Sequence, residues 1–198
     1  MEGSGDNDNG NGTLHVRSAQ LSPNKRKLSL RSVSVSPQVD ALKTIYNSLG
    51  GPDWARQHNW LSEDSDYSKW QGITCSRSTG DGNNIINNIA VIELSQNNLR
   101  GCLDDPILVD AFGKLGPTLE QLWLSENAAI TGNLPSIFAN ASVFPRLNIL
   151  DVGSNQLRGS LHPAFTKRAT QFSWFDTTGN QLTSYYRFTS DQEQAGVV

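Results

Sequence analysis

The chain has 198 residues, of which 36% are hydrophobic and 18% charged, and its formal net charge is −3. A chain of this length accommodates one domain, and its slight negative charge argues against a general nucleic-acid binder. The sequence contains no run of about eighteen or more apolar residues, which excludes a membrane-spanning helix within it.

The first 36 residues predict a disordered tail. Residues 1–12 are rich in Gly, Asn and Asp, so burial of apolar surface cannot offset the entropy lost on ordering them. They also lack the basic start and apolar centre of a secretory signal. The basic, serine-rich stretch that follows has the spacing that protein kinases use, although a solvated linker with chance matches explains it equally well. The candidate phosphosites are Ser29, Ser32, Ser34 and Ser36.

Residues 37–88 predict an N-terminal cap that opens with a helix over residues 37–49. Ser36 can cap this helix, Pro37 suits its first turn, and Gly50 suits its end. Apolar residues recur at helical spacing along it. Three tryptophans follow, and we interpret them as cover for one end of a core: Trp54, Trp60 and Trp70.

From residue 89 to residue 184 one pattern recurs about four times. Apolar residues such as Leu150 and Val152 alternate along a short strand, and this places both side chains on one face. An asparagine follows where the chain turns, and its amide can bond the turn backbone. The copies recur at roughly 25 to 30 residues and share a core only when stacked. Their asparagines are Asn97, Asn127, Asn155 and Asn180.

The full pattern, L-x-x-L-x-L-x-x-N-x-L continued by Gly-Asn-Leu-Pro at residues 132–135, resembles the plant-type leucine-rich repeat. The tryptophan segments resemble the cap that precedes such repeats. The resemblance covers about residues 40–182 and implies a right-handed α/β solenoid. It further implies a short parallel sheet on the concave side and a helical, Trp-rich N-terminal cap. Residues 185–198 are interpreted as a C-terminal tail. Either the aromatic residues of 185–188 cover the last coil, or the chain is part of a longer array.

Two features that this sequence lacks bear on the cellular compartment of the chain. Secreted versions of this cap carry a second cysteine two places before Trp70, where this chain has Ser68. Together with the missing secretory signal, this favours an intracellular location. The alternative is an extracellular or membrane-associated location, if the chain is a fragment of a longer protein. Pairing between Cys75 and Cys102 stays open.

No catalytic constellation is evident in the sequence. His15, His58 and His162 lie far apart and lack partners at metal-ligand spacing, and no phosphate-binding loop, nucleophile elbow or kinase motif occurs. We therefore expect a non-enzymatic chain that needs no metal and no cofactor. Two glycosylation acceptor sequences, which matter only if the chain is exported, begin at Asn11 and Asn140.

The outward residues of the predicted strands form the candidate partner-binding site. Lys and Arg are absent from them, whereas carboxylates and indoles are prominent: Glu93, Glu120, Trp123, Glu126, Asp151, Trp174 and Asp176. Carboxylates steer basic partners, and exposed indoles anchor them. We predict a module that binds a basic protein or peptide and does not insert into a membrane. The alternatives are a fragment of the ligand-binding ectodomain of a receptor-kinase-like membrane protein, and a structural repeat without a ligand. The oligomeric state stays open.

Overall fold

A computed structural model describes residues 36–62, 66–79, 85–189 and 192–197. The predicted disordered tail lies outside these residues, except for Ser36. The candidate phosphosites Ser29, Ser32 and Ser34 and the acceptor Asn11 also lie outside them.

The described chain alternates short helices with short strands. Its α-helices are α1 (Pro37–Ser48), α2 (Pro106–Leu115) and α3 (Pro163–Arg168). Single turns of 3₁₀ helix occupy Gly51–Asp53, Tyr67–Lys69, Ser136–Ala139 and Ala169–Gln171. The strands are β1 (Ile73–Thr79), β2 (Ile85–Glu93), β3 (Arg100–Cys102), β4 (Gln121–Trp123), β5 (Ala129–Gly132), β6 (Ile149–Asp151), β7 (Gln156–Gly159), β8 (Trp174–Asp176), β9 (Gln181–Leu182), β10 (Ser184–Thr189) and β11 (Gln192–Val197).

Helix α1 forms where the sequence predicts it, one residue shorter at its end. The hydroxyl of Ser36 accepts a hydrogen bond from the Gln38 amide at 3.4 Å, and Pro37 occupies the first turn. Gly50 follows with φ of +74°, a left-handed conformation that suits the end of a helix. The face that α1 buries comprises Val39, Ala41, Leu42, Ile45 and Tyr46.

The three tryptophans predicted to form a cap are buried in one aromatic cluster, which Tyr46 of α1 joins. Trp54 and Trp60 have ring centroids 4.9 Å apart, Trp60 and Trp70 are 5.0 Å apart, and Tyr46 packs on Trp54 at 4.9 Å. The sequence did not predict β1, which pairs antiparallel with β2. This pairing also starts β2 at Ile85, four residues before the predicted start. The first parallel strand therefore has no open edge on this side.

Two sheets run through the repeats. The first has the order β1-β2-β4-β6-β8-β10-β11, and its strands β2, β4, β6 and β8 are parallel. The second, β3-β5-β7-β9, is parallel as well. The inward residues of the first sheet are in register and fully buried: Ile92, Leu122, Leu150 and Phe175. The predicted α/β architecture with a short parallel sheet is confirmed, and its right-handed winding stays a prediction.

The repeat asparagines bond the backbone from inside the stack. The Oδ1 atom of Asn127 accepts from the amides of Asn97 and Leu99 at 2.9 and 3.0 Å. Its Nδ2 atom donates to the carbonyls of Leu94 and Leu124 at 2.9 and 3.0 Å. Asn155 and Asn180 repeat this pattern in the following coils. Each asparagine therefore links its own turn to the coil before it.

The convex side carries α2, the 3₁₀ turn Ser136–Ala139 and α3. Arg168 at the end of α3 is 4% exposed. It donates to the carbonyls of Phe138 and Leu147 at 3.0 and 3.1 Å, and also to that of Phe144. Its guanidinium lies 5.1 Å from the ring centre of Phe172. This single side chain joins two neighbouring convex segments.

The C-terminal segment is a hairpin, whereas the sequence predicted a tail without strands over residues 185–198. Strands β10 and β11 pair antiparallel with each other, and β10 pairs antiparallel with β8. The hairpin covers the edge that β8, the last of the parallel strands described, would otherwise leave open.

Candidate functional site

The outward residues of β2, β4, β6 and β8 lie in two columns across the first sheet. Cross-strand pairing places one column in register as Glu93, Trp123, Asp151 and Asp176. The second column, two residues earlier on each strand, is Val91, Gln121, Ile149 and Trp174. Because strand residues alternate between faces, both columns lie opposite the buried leucine core. We call the surface formed by these eight residues the concave face.

Two indoles from alternate coils meet on the concave face. Trp123 and Trp174 are half-buried, their ring centroids are 6.1 Å apart, and their planes are inclined by 38°. The Nε1 atom of Trp123 donates to Oε1 of Gln121 at 3.1 Å. The Nε1 atom of Trp174 donates to Oδ2 of Asp151 at 3.3 Å. Both rings are thus held in place while part of their surface stays accessible.

Two of the predicted binding carboxylates are buried, which corrects the expectation of an outward acidic ribbon. Asp151 and Asp176 are each 7% exposed. Trp174 reaches Asp151 from the neighbouring coil and donates to its Oδ2 atom. Burial raises the pKa of the Asp151 carboxyl, the amide of Gly153 opposes the rise, and the charge of Asp176 adds to it.

The carboxylates of this column cap their own turns. In each case a side-chain oxygen accepts from the amide two residues later: Glu93 from Ser95 at 2.9 Å, Asp151 from Gly153 at 3.0 Å, and Asp176 from Thr178 at 2.8 Å. This local bond is a reason for an acid at the end of each strand that does not involve a ligand. Trp123 stands at the same place in its coil and has no oxygen that could accept.

The remaining predicted residues lie beside the columns. Glu120 is half-buried, and its Oε1 atom is 3.9 Å from Nη1 of Arg146. Glu126 is exposed and has φ of +57°. Arg146 was missed because it lies in the turn before β6, outside the repeat positions. The rim of the concave face therefore carries charges of both signs.

Arg56 is a second cation that the sequence analysis missed. Its backbone amide donates to Oδ1 of Asn97 at 2.5 Å, and its guanidinium bonds the carbonyl of Ser95. It belongs to the cap, so no repeat pattern marks it. Spatially, it borders the first coil beside Glu93.

The cysteines are both free thiols. Cys75 is half-buried, and burial raises its pKa to about 11. Cys102 is exposed, and its thiol donates to Oδ1 of Asp104 at 2.9 Å, which raises its pKa. High pKa values leave little thiolate, so neither cysteine has the environment of a reactive nucleophile.

Within the described ranges, no group of three or more His, Cys, Asp or Glu side chains is placed to hold a metal ion. None of the helices in that part of the chain combines the length and apolar character needed to cross a membrane.

Comparison with known proteins gives matches at the level of structure. No known protein-family model matches the chain, and curated proteins give no significant match. The BIR2 ectodomain from Arabidopsis thaliana has a TM-score of 0.57 and 23% identity, over 73% of this chain and 68% of that one. The ectodomain of the receptor kinase SOBIR1 from the same plant has a TM-score of 0.56 and 20% identity, over 74% and 68%.

A third similar structure contains a bound partner. It is the ectodomain of the Arabidopsis thaliana membrane receptor kinase GASSHO1/SCHENGEN3 in complex with CASPARIAN STRIP INTEGRITY FACTOR 2. Its TM-score is 0.52 at 23% identity, over 74% of this chain and 15% of that chain.

The prediction of an intracellular location is wrong in the light of these structures, which are ectodomains of plant membrane receptors. The prediction depended on the composition of residues 1–12 and on Ser68, and neither feature reports directly on a compartment. Here Ser68 donates to the Asp66 carboxylate, while the packed tryptophans fill the cap.

The fold described above is thus similar to that of plant receptor ectodomains over 73% to 74% of this chain. This likeness agrees with the resemblance stated from the sequence: the chain has the fold of the plant-type leucine-rich repeat.

Proposed function

We propose that this chain is an extracellular, ligand-binding leucine-rich-repeat segment of the receptor-kinase ectodomain type, and that it binds a peptide or protein segment on its concave face. The observation that supports the proposal is the half-exposed pair Trp123 and Trp174. Indoles at a surface are typical anchors for a partner. Local turn chemistry explains the carboxylates of the column but does not explain Trp123.

The chemistry of the face favours a ligand with a cationic side chain next to an apolar one. A guanidinium or ammonium group over an indole contributes about 0.5–2 kcal/mol, and Glu93 lies in the column beside Trp123. Val91 and Ile149 in the second column are half-buried and offer apolar contact. Arg56 and Arg146 at the rim disfavour a uniformly basic ligand. We therefore narrow the predicted basic partner to a mixed sequence that contains Arg or Lys.

The test uses synthetic peptides of equal length that differ at one central residue, which is Arg, Lys, Leu or Glu, between apolar neighbours. Binding is followed by tryptophan fluorescence and by calorimetry at low and high salt. We expect Arg to bind most tightly and Glu most weakly, with a preference that weakens as salt screens the charges. Replacing both indoles, Trp123→Ala with Trp174→Ala, should weaken binding at least tenfold.

Charge variants distinguish binding at the concave face from non-specific electrostatic attraction to the whole chain. Glu93→Lys should weaken the Arg peptide, whereas Asp110→Lys on the exposed side of α2 should not. Asp151 is unsuited to such a variant because a buried lysine there would disturb the fold. If the double tryptophan variant keeps full affinity, or if the Glu and Arg peptides bind equally, the concave face is not the binding site.

A further inference from the structure

The convex side carries a turn with features that the fold does not require. Asn140, Ala141 and Ser142 follow the 3₁₀ turn Ser136–Ala139, and all three are exposed. Together they form Asn-x-Ser with a residue other than proline in the middle, the acceptor sequence for N-linked glycans. It is the one acceptor sequence within the described residues.

The backbone of this turn is fixed from both sides. The Asn140 amide donates to the carbonyl of Ile137 at 2.9 Å, and the Phe144 amide donates to the carbonyl of Asn140 at 2.9 Å. Phe138 and Phe144, which flank the turn, are fully buried, and their ring centroids are 5.3 Å apart. The turn is therefore anchored by its neighbours, while its own side chains face solvent.

The Asn140 side chain uses only its oxygen in the local bond. Oδ1 accepts from the Ser142 amide at 2.9 Å. The nitrogen Nδ2, the atom to which a sugar attaches, is not engaged in that bond. This contrasts with the repeat asparagines Asn127, Asn155 and Asn180, whose nitrogens each donate to backbone carbonyls. A glycan on Asn140 would therefore displace no packing and break no interaction inside the stack.

We propose that Asn140 is an N-glycosylation site. In the transfer, Nδ2 of Asn140 forms a bond to the anomeric carbon of an oligosaccharide that is supplied as a lipid-linked pyrophosphate. The bond between that carbon and the pyrophosphate oxygen breaks, the pyrophosphate leaves with the electron pair, and the amide proton is released to a base. The inference rests on the export that the proposed function includes, and on no property of the concave face.

The position of the site has a consequence for binding. The turn lies in the convex row, because Phe138 packs on Phe112 of α2 and its carbonyl accepts from Arg168 at the end of α3. The two indoles lie on the other sheet surface. A glycan on Asn140 therefore covers the back of the coil and leaves the concave face open.

The test is translation of the full chain behind a cleavable secretory leader in the presence of endoplasmic-reticulum microsomes. The protease-protected fraction is then treated with peptide N-glycosidase. We expect a glycan-sized mobility step in the parent chain that Asn140→Gln removes. Ser142→Ala should remove it too, although it retains Asn140 and its bond to the backbone, whereas Ser142→Thr should keep it. The acceptor at Asn11 is removed in a parallel set, so that each site is scored alone.

A protected chain whose mobility does not change with Asn140→Gln would overturn the proposal, as would a glycan confined to Asn11. The peptide-binding assay on unglycosylated protein gives an independent result. A failure of peptide binding therefore leaves the glycosylation result standing, and the reverse also holds.

Discussion

The inward and outward residues of the same coils differ in how strictly they repeat. Inside, the turn position is asparagine in every coil, from Asn97 to Asn180, and each of these amides bonds the backbone. Outside, one column reads Glu93, Trp123, Asp151 and Asp176. Uniformity inside follows because every coil leaves the same backbone groups to be satisfied. The outward residues have no such common requirement.

The same reasoning separates the three carboxylates of this outward column from its tryptophan. Glu93, Asp151 and Asp176 each bond the amide two residues later, so the local turn explains them. Trp123 does not fit this explanation. Its partner on the face, Trp174, belongs to the second column. Within the concave face, these two residues are therefore the strongest candidates for a function that the fold does not demand.

The largest effect is expected from Asn127→Ala, which breaks the hydrogen bonds by which the repeat asparagines link neighbouring coils. The substitution removes two bonds to the amides of Asn97 and Leu99 and at least two to the carbonyls of Leu94 and Leu124. Buried backbone groups left without partners, together with the cavity, should lower the free energy of unfolding by about 4 kcal/mol. Urea denaturation followed by circular dichroism measures this loss.

The matched control for this variant is Asn148→Ala, an exposed asparagine in the turn before β6. It should change the free energy of unfolding by about 0.5 kcal/mol or less. If the two asparagine variants unfold at the same urea concentration, the ladder is not what links the coils.

Local patterns made much of the fold predictable. Helix α1, the buried tryptophans and the ladder follow from spacing within a few residues, such as Leu150 and Val152 before Asn155. Strand β1 and the β10–β11 hairpin were not predicted. They pair with the first and last parallel strands of the sheet, outside the repeat pattern from which the other strands were predicted.

The site was predictable only in part, for a related reason. Strand alternation identifies the outward residues and even their register. Strand alternation does not reveal that Trp174 bonds Asp151 of the preceding coil. That contact depends on how the indole ring is oriented relative to the neighbouring strand. For the same reason the burial of Asp151 and Asp176 was not foreseen, and Arg146 was missed as a neighbour of Glu120.

A second variant tests whether a residue that occurs once must be functional. Arg168 has no counterpart in the other convex segments, yet it is buried and bonds the carbonyls of Phe138 and Leu147. Arg168→Ala should lower the free energy of unfolding by about 3 kcal/mol, since charged hydrogen bonds and packing are lost together. Thermal and urea unfolding provide the measurement.

Peptide affinity is the second readout for Arg168→Ala, measured at a temperature where the variant is folded. It should equal that of the parent chain, because Arg168 lies on the convex side. A loss of affinity with unchanged stability would reverse the structural assignment of this residue.

A third variant makes the outward column uniform. Trp123→Asp places a carboxylate where the other three coils have one, so it can cap the Ser125 amide in the same way. The loss of half-buried indole surface and the gained bond oppose each other, and the net change in unfolding free energy should stay within about 1 kcal/mol. Affinity for the Arg peptide should fall at least tenfold.

Trp123→Leu serves as the control for the third variant, since it keeps apolar surface without an acceptor. It should be less stable than Trp123→Asp if the turn cap matters. Equal stability of the two variants would show that the carboxylates of the column do not stabilise the chain by capping the turn amides.

The smallest effect concerns the pH dependence that burial gives to Asp151. Its pKa is raised in the folded chain by burial first and by Asp176 in addition, so the folded state binds this proton more tightly than the unfolded state. The carboxylate therefore lowers stability above the raised pKa. This penalty disappears as the pH falls towards the ordinary value for aspartate. Asp151→Asn removes the charge and keeps an acceptor for Gly153, but its Nδ2 atom cannot accept from Trp174 as Oδ2 does. The midpoint of thermal unfolding should therefore rise by only about 1 °C at neutral pH.

Asp104 supplies a control of opposite sign on the second sheet. Hydrogen bonds from Cys102 and Asn133 lower its pKa, so its charged form stabilises the folded chain at neutral pH. That stability is lost as the pH falls through the lowered value. Asp104→Asn should therefore lower the midpoint at neutral pH, and both variants should converge on the parent at acid pH. If Asp151→Asn also lowered the midpoint at neutral pH, the Asp151 carboxylate would be a stabilising group. The carboxylates of the outward column would then support the fold, as the repeat asparagines do.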